Sequence, residues 1–165
     1  MKRQILTKTQ VEQKIKRIAF EIFELNFEEK EIILAGIYDR GFSVAQRLAT
    51  ALESISPIKA TLMQIHLDKS LPHQNPVTIN LPKTALENKV IIVVDDVLNT
   101  GRTLAYGMAP FFGTALRKLQ VAVIIDRGHR NYPIHADYVG YTLSTTLNEH
   151  VEVCLDDDNL SVYLH

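Results

Sequence analysis

Val90-Ile91-Ile92-Val93-Val94-Asp95-Asp96-Val97-Leu98-Asn99-Thr100-Gly101-Arg102-Thr103-Leu104 is the stretch on which the reading of this chain turns. Its opening run from Val90 to Val94 is wholly β-branched, which marks a strand covered on both faces. A pair of acids follows at once, then a small polar loop, then the start of a helix. Such a loop can cup a phosphate. Gly101 lets the backbone approach closely, the threonine hydroxyls donate hydrogen bonds, and the helix start offers free N–H groups. The carboxylates of Asp95 and Asp96 suit the hydroxyls of a ribose held just above. An acid pair after a strand is, taken alone, more often a solvated strand end. The complete order of strand, acids, loop and helix favours a ligand site.

Outward from this segment, strands and helices alternate. Val11, Ile15, Ile18, Ile22 and Leu25 recur at helical spacing, with Thr9 as the predicted N-cap. Residues 32–35 read as a short buried strand closed by Gly36. Val44, Ala45, Leu48, Ala51 and Leu52 mark a second helix that ends before Pro57. Residues 58–67 read as a strand. Pro72, Pro76 and Pro82 punctuate a loop over 68–82, with room for a short strand at 77–81. A helix is predicted over 103–112, disturbed by Pro110. Residues 119–125 and 137–141 read as strands. Val151, Val153 and Leu155, then Leu160, Val162 and Leu164, alternate as a closing hairpin. The pattern predicts an α/β fold, a central mostly parallel sheet flanked by helices, in a single domain over 1–165. Ligands on such sheets sit beyond the carboxyl ends of the strands, so the residues after Leu34, Val94 and Ile125 are the candidates.

Composition narrows the function classes. The 165 residues are 46% apolar and 22% charged, ordinary for a packed domain, and the formal charge is −1. Nothing global draws the chain to nucleic acid or to a membrane, so any anion site must be built locally. Cys154 is the sole cysteine, which excludes an intrachain disulfide and fits a reducing cytoplasm. Its ordinary reading is a small buried hydrophobe in a strand. Met1-Lys2-Arg3-Gln4 is not followed by an apolar run of signal-peptide length, and no apolar stretch is long enough for a bilayer.

Two further segments follow predicted strands. Gly36-Ile37-Tyr38-Asp39-Arg40-Gly41 is a glycine-bounded turn with an arginine. It can hold a pyrophosphate through backbone N–H groups and a cation. On its residues alone, an ordinary turn is as good a reading. Asp126-Arg127-Gly128-His129-Arg130 begins at the end of another strand. The histidines at 66, 73, 135, 150 and 165 show no metal-ligand spacing. Asp156-Asp157-Asp158 reads as a hairpin turn rather than a metal cluster. Tyr38, Tyr106 and Phe111 read as packing residues.

The segment from Val90 to Leu104 closely resembles the motif of type I phosphoribosyltransferases that binds 5-phosphoribosyl-1-pyrophosphate (PRPP). The resemblance narrows at Asp126-Arg-Gly-His-Arg130 and at Pro133-Ile134-x-Ala136-Asp137-Tyr138-Val139-Gly140. With Arg17-Ile18-Ala19 and Arg40-Gly41, these are similar to the bifunctional pyrimidine-operon attenuator and uracil phosphoribosyltransferase proteins of bacteria. The likeness spans about 11–155. It implies the type I phosphoribosyltransferase fold, with a small hood near the C-terminal half that holds the base. It implies transfer of phosphoribose from PRPP to uracil, with Mg²⁺ as cofactor and a homo-oligomeric assembly. By the same resemblance Asp95 and Asp96 hold the ribose hydroxyls and stand near the metal, directly or indirectly. Leu98, Asn99, Thr100, Gly101, Arg102 and Thr103 grip the 5-phosphate. Asp39, Arg40 and Gly41 meet pyrophosphate, and Asp126 and Arg127 border pyrophosphate and base. A different base, or an RNA-binding regulator that senses nucleotides, is the alternative. One departure stands out. Relatives carry Tyr-Arg-Asp on a mobile loop whose arginine closes over pyrophosphate, and this chain has Leu67-Asp68-Lys69-Ser70 on a shorter one. Lys69 keeps the charge without the bidentate fork, which bears on catalytic efficiency more than on PRPP binding.

The sequence further predicts a poor RNA attenuator. Phosphate neutralisation supplies most RNA affinity, and this chain thins the basic residues that would supply it. Phe20 stands where relatives often place histidine, His135 where they often carry arginine, and Tyr141 where they often carry lysine, while Asp39 adds negative charge beside Arg40. Lys14, Arg17, Arg127 and Arg130 remain as a small basic set. Titration with a structured leader RNA at physiological salt should show weak binding that UMP does not change. Tight, UMP-enhanced and sequence-selective binding would overturn this expectation.

Overall fold

The computed structural model describes all 165 residues. β1 (Arg3–Leu6) leads into α1 (Lys8–Leu25), β2 (Glu31–Ile37), α2 (Arg40–Ile55), β3 (Lys59–His66) and β4 (Thr78–Ile79). β5 (Val90–Leu98), α3 (Arg102–Gly107), β6 (Lys118–Asp126), β7 (Tyr138–Thr142), β8 (Val151–Cys154) and β9 (Ser161–Leu164) follow. Six strands form the central sheet in the order β4-β3-β2-β5-β6-β7, and β1, β9 and β8 form a second sheet. In the central sheet β3–β4 is antiparallel and the other pairings are parallel.

Strand periodicity divides the core in two. Val90, Ile92 and Val94 of β5 face one way with Ile32 and Leu34 of β2, and meet the apolar stripes of α1 and α2. Ile91 and Val93 face the other way with Ile33 and Ala35, toward Leu104, Phe111 and Leu86. Both faces are covered, which is why β5 is apolar without alternation. From β2 the chain moves outward through β3, and from β5 it moves the opposite way through β6. The topological switch point therefore lies between β2 and β5, the expected place for a ligand.

Several boundaries differ from the sequence reading. The first helix is capped by Thr7, not Thr9, because Thr7 and Gln10 form a reciprocal capping box. β5 runs on through the acids to Leu98, since pairing with β6 continues to Leu98↔Asp126. Helix α3 stops at Gly107, and Pro110 falls in a separate 3₁₀ turn at Ala109–Phe111. β1 has no counterpart in the sequence reading. It pairs with β9, so the small sheet takes a strand from each end of the chain and is not purely C-terminal. Cys154 is half-buried rather than buried. Asp156–Asp158 form the hairpin turn, which Arg47 and Lys8 pin by hydrogen bonds to Asp157.

The small sheet carries its own ion cluster. Glu152 Oε2 lies 2.8 Å from Lys2 Nζ and 2.8 Å from His165 Nε2. Hydrogen bonds from Lys2 and then His165 bring the Glu152 carboxyl down to about 2. A depressed carboxylate stabilises the fold above its unfolded value of 4.5, and that contribution is lost as pH falls toward 2. Glu152→Gln should thus lower the melting temperature at neutral pH, with the gap to wild type closing between those limits. Thermal melts across the acid range check this, and a gap that does not depend on pH would contradict it.

Candidate active site

The carboxyl ends of β2, β3, β5 and β6 lie along one edge of the sheet because these strands are parallel. Segments 38–41, 67–70, 95–104 and 126–132 lie at or just beyond those ends. The three regions singled out in the sequence are thereby brought together, although they lie far apart along the chain.

At the centre stand Asp95 and Asp96, only 4% and 7% exposed. Each turns a carboxylate oxygen to the next backbone N–H: Asp96 N donates to Asp95 Oδ1 and Val97 N to Asp96 Oδ1, both at 2.9 Å. Arg40 crosses the switch point, its Nη1 3.4 Å from Asp96 Oδ2. Gly41 is required at its position. A Cβ there would lie 2.4 Å from the Val94 carbonyl oxygen and 3.1 Å from Asp95 Oδ1. The Tyr38–Asp39 peptide just before it is cis. Tyr38 itself is half-exposed and stacks on His66, ring centroids 4.7 Å apart, so it is not the packing residue the sequence suggested. Phe111 is fully buried, and Tyr106 lies edge-on to Tyr132.

Burial pushes the Asp95 carboxyl well above the usual carboxylate range, and the neighbouring Asp96 charge adds to the shift. The Lys69 ammonium, on the loop after β3, opposes both. Its loop is organised by Asp68, whose Oδ1 accepts the N–H groups of Ser70 and Leu71. Arg102 Nη2 donates to the Ser70 carbonyl at 3.2 Å and ties this loop to the start of α3.

The segment between Leu98 and Thr103 forms a nest of backbone N–H groups of the kind that can hold an anion. Gly101 adopts a left-handed conformation, φ 86°. The N–H groups of Asn99, Thr100, Gly101 and Thr103 have no acceptor in the protein, while the Arg102 N–H meets the Thr100 hydroxyl. The carbonyls of Leu98, Asn99 and Thr100 are treated oppositely, each engaged by the segment after β6. Arg127 N donates to Leu98 O, Arg130 Nη1 to Asn99 O, and both Asn131 N and Tyr132 N to Thr100 O, at 2.9–3.2 Å. Carbonyls drawn outward leave N–H groups free for an anion. The residues of the nest and Asp95 line a small cavity of ≈ 40 Å³.

Arg127 sits where the sequence placed it, beside this loop, but its guanidinium is already engaged. It donates to Asn99 Oδ1, to Thr145 Oγ1, and to the Thr146 and Glu149 carbonyls. Asp126 pairs with Arg130 at 2.6 Å and accepts the Gly128 N–H. Arg17 binds Glu21 and the Val139 and Gly140 carbonyls. Lys14 stands over the Tyr141 ring. The four cations of the small basic set are therefore each engaged within the protein. The sequence offered Arg130 as the last residue of the Asp126–Arg130 segment and as a member of that set, with no role of its own, and its hold on the loop depends on contacts across the fold.

Residues 1–158 match the family described as the phosphoribosyl transferase domain. The chain belongs to that family. It is 38% identical over 162 residues to the bifunctional protein PyrR of Bacillus pumilus, covering 93% of this chain and 90% of that one. The bifunctional protein PyrR of Bacillus subtilis is 37% identical over 163 residues, with the same coverage, 93% and 90%. Among solved structures, a hypoxanthine phosphoribosyltransferase of Trypanosoma cruzi superposes with a TM-score of 0.79 over 98% of this chain and 95% of that one. At 20% identity it shares the type I phosphoribosyltransferase fold. The chain is a pentosyltransferase with PyrR relatives. No helix is long and apolar enough to cross a membrane.

Asp95 supplies a test of the acid pair. A carboxyl raised in the folded state stabilises the fold fully below its unfolded value, near 3.8, and that contribution is lost as pH rises through the folded value. Asp95→Asn keeps an oxygen for the Asp96 N–H and removes the buried charge. It should raise the melting temperature at pH 8, and by less as the pH is lowered toward the unfolded value. A fall in stability at pH 8 would contradict the assignment of a buried, ligand-directed charge.

Proposed function

We propose that this chain transfers phosphoribose from PRPP to uracil, giving UMP and pyrophosphate. The observation that carries the reading is the nest of free N–H groups at Asn99, Thr100, Gly101 and Thr103, set directly beside the buried Asp95–Asp96 pair. A phosphate in that nest would bring the attached ribose hydroxyls toward the carboxylates. Arg40 pairs with Asp96 and the Lys69 charge acts on Asp95, so both are cations that would meet the departing pyrophosphate. Uracil is favoured by the resemblance at 126–140 and by the PyrR relatives.

In the reaction the bond from ribose C1 to the pyrophosphate oxygen breaks, and a bond from C1 to a ring nitrogen of uracil forms. The pyrophosphate oxygen takes the electron pair, and the proton of the ring nitrogen passes to water. Charge develops on C1 and on the leaving group, so no protein nucleophile is needed. Arg40 and Lys69 stabilise the departing charge. Asp95 and Asp96 orient the sugar by accepting its hydroxyls, and the grip on the remote phosphate fixes C1 relative to the base. Asp39 and Gly41 shape the pyrophosphate turn, and Asp126 and Arg127 border the base region.

No group of three or more acidic, histidine or cysteine side chains that could hold a metal by itself is present. That fits Mg²⁺, which binds through one or two carboxylates together with phosphate oxygens and waters. Asp95 and Asp96 are the residues that would stand beside it. When bound it would neutralise charge on the leaving pyrophosphate. A homo-oligomer is part of the same proposal.

The test is pyrophosphate release from PRPP and Mg²⁺ with uracil, cytosine, adenine, guanine or hypoxanthine. Uracil should be the one base that supports turnover, and chelation of Mg²⁺ should abolish it. Turnover with hypoxanthine or guanine in place of uracil would overturn the uracil assignment. Absence of turnover with every base would overturn the reaction.

A further inference from the structure

We infer that Arg130 is a positioning residue for the phosphate nest, acting through the Asn99 carbonyl; this rests on the phosphoribosyl reading of the site. Arg130 is a surface cation by sequence, yet its side chain is only 27% exposed and its guanidinium serves acceptors in three directions. Nε donates to the Ile134 carbonyl at 3.0 Å, Nη1 to the Asn99 carbonyl at 3.2 Å, and Nη2 to Asp126 Oδ2 at 2.6 Å. Asp126 is held in turn by the Gly128 N–H at 2.9 Å. The guanidinium thus joins the end of β6, the chain at Ile134 and the middle of the nest.

The Asn99 carbonyl is the one that most needs such a partner. Leu98 O and Thr100 O are taken by backbone N–H groups, whose positions the chain itself dictates. Asn99 O is taken by the Arg130 side chain. The same peptide unit carries the free Thr100 N–H that faces the nest, so its rotation would exchange a donor for an acceptor facing the anion. An oxygen turned toward a phosphate repels it. Arg130 therefore keeps the nest in its donor-inward form. Arg127 holds the Asn99 side chain at Oδ1 but leaves the carbonyl untouched.

Lysine cannot replace this group, because a single ammonium does not reach three separated acceptors in a plane. The effect belongs to binding of the terminal phosphate, which persists from substrate to transition state. Loss of such an interaction raises KM and leaves kcat nearly unchanged. A merely supportive role would instead lower the melting temperature and weaken every ligand alike.

Calorimetry with ribose 5-phosphate and, separately, with inorganic pyrophosphate and Mg²⁺ distinguishes these. Ribose 5-phosphate reaches the nest, whereas pyrophosphate binds on the Arg40 side. Arg130→Lys should weaken ribose 5-phosphate about 10-fold, leave pyrophosphate within about 2-fold, and raise KM for PRPP with little change in kcat. Should Arg130→Lys melt below the assay temperature, Arg130→Gln is read the same way. Equal ribose 5-phosphate affinity in variant and wild type overturns the inference, as does equal weakening of both ligands. If the wild type binds neither ribose 5-phosphate nor PRPP, the phosphoribosyl reading fails first and takes this inference with it.

Discussion

Adjacent carboxylates at the buried end of a central strand are costly, and the structure around Asp95 and Asp96 is organised by that cost. Ionising one beside the other in a space nearly closed to water is unfavourable. Local backbone N–H groups offset part of the penalty, and Arg40 and Lys69 approach from loops that follow β2 and β3. Gly41 is bound to the same constraint, because any larger residue would collide with the strand that carries the acids. An apolar strand end would be easier to fold. Retention of the acids fits a site whose ligand brings hydroxyls and a cation to meet them.

The second organising constraint is the direction of the backbone beyond the acids. An anion site built from peptide groups works only when the carbonyls have partners elsewhere. The segment after β6 supplies those partners at three successive residues, partly through its own N–H groups and partly through Arg130. The Asp126-Arg-Gly-His-Arg130 segment therefore braces the phosphate loop, with Asp126 and Gly128 setting the brace. Arg127 extends the same framework to residues 145–149. Sites placed on loops gain precision when neighbouring loops lock their rotamers in this way.

Much of this was legible in the sequence because it depends on local pattern. The β-branched run at Val90–Val94 announced a doubly covered strand, and of the helical stripe Val11, Ile15, Ile18 and Ile22 are buried as its period required, while Leu25 at the helix end is exposed. The acids, the loop at Leu98–Thr103 and the Arg40 turn could be named because each lies at or beyond the carboxyl end of a strand in a parallel sheet. Less legible were features that depend on distant partners. β1 is a four-residue strand with exposed leading residues, and only pairing with β9 makes it one. The continuation of β5 through Asp95 and Asp96 depends on its register with β6. Arg130 looked like a solvated cation because its acceptors belong to Asn99 and Ile134 as much as to Asp126. Thr7 rather than Thr9 caps the first helix because the Thr7–Gln10 pairing outweighs proximity to the first apolar residue.

The relation between the nest and the acid pair is the centre of this account, and it predicts where a ligand must lie. A crystal structure with ribose 5-phosphate bound tests it most directly. Phosphate oxygens should lie about 2.7–3.2 Å from the amide nitrogens of Asn99, Thr100, Gly101 and Thr103, with ribose hydroxyls on Asp95 and Asp96. A phosphate held elsewhere, such as beside Lys16 and Arg47 between α1 and α2, or a ribose turned away from the acids, would contradict it.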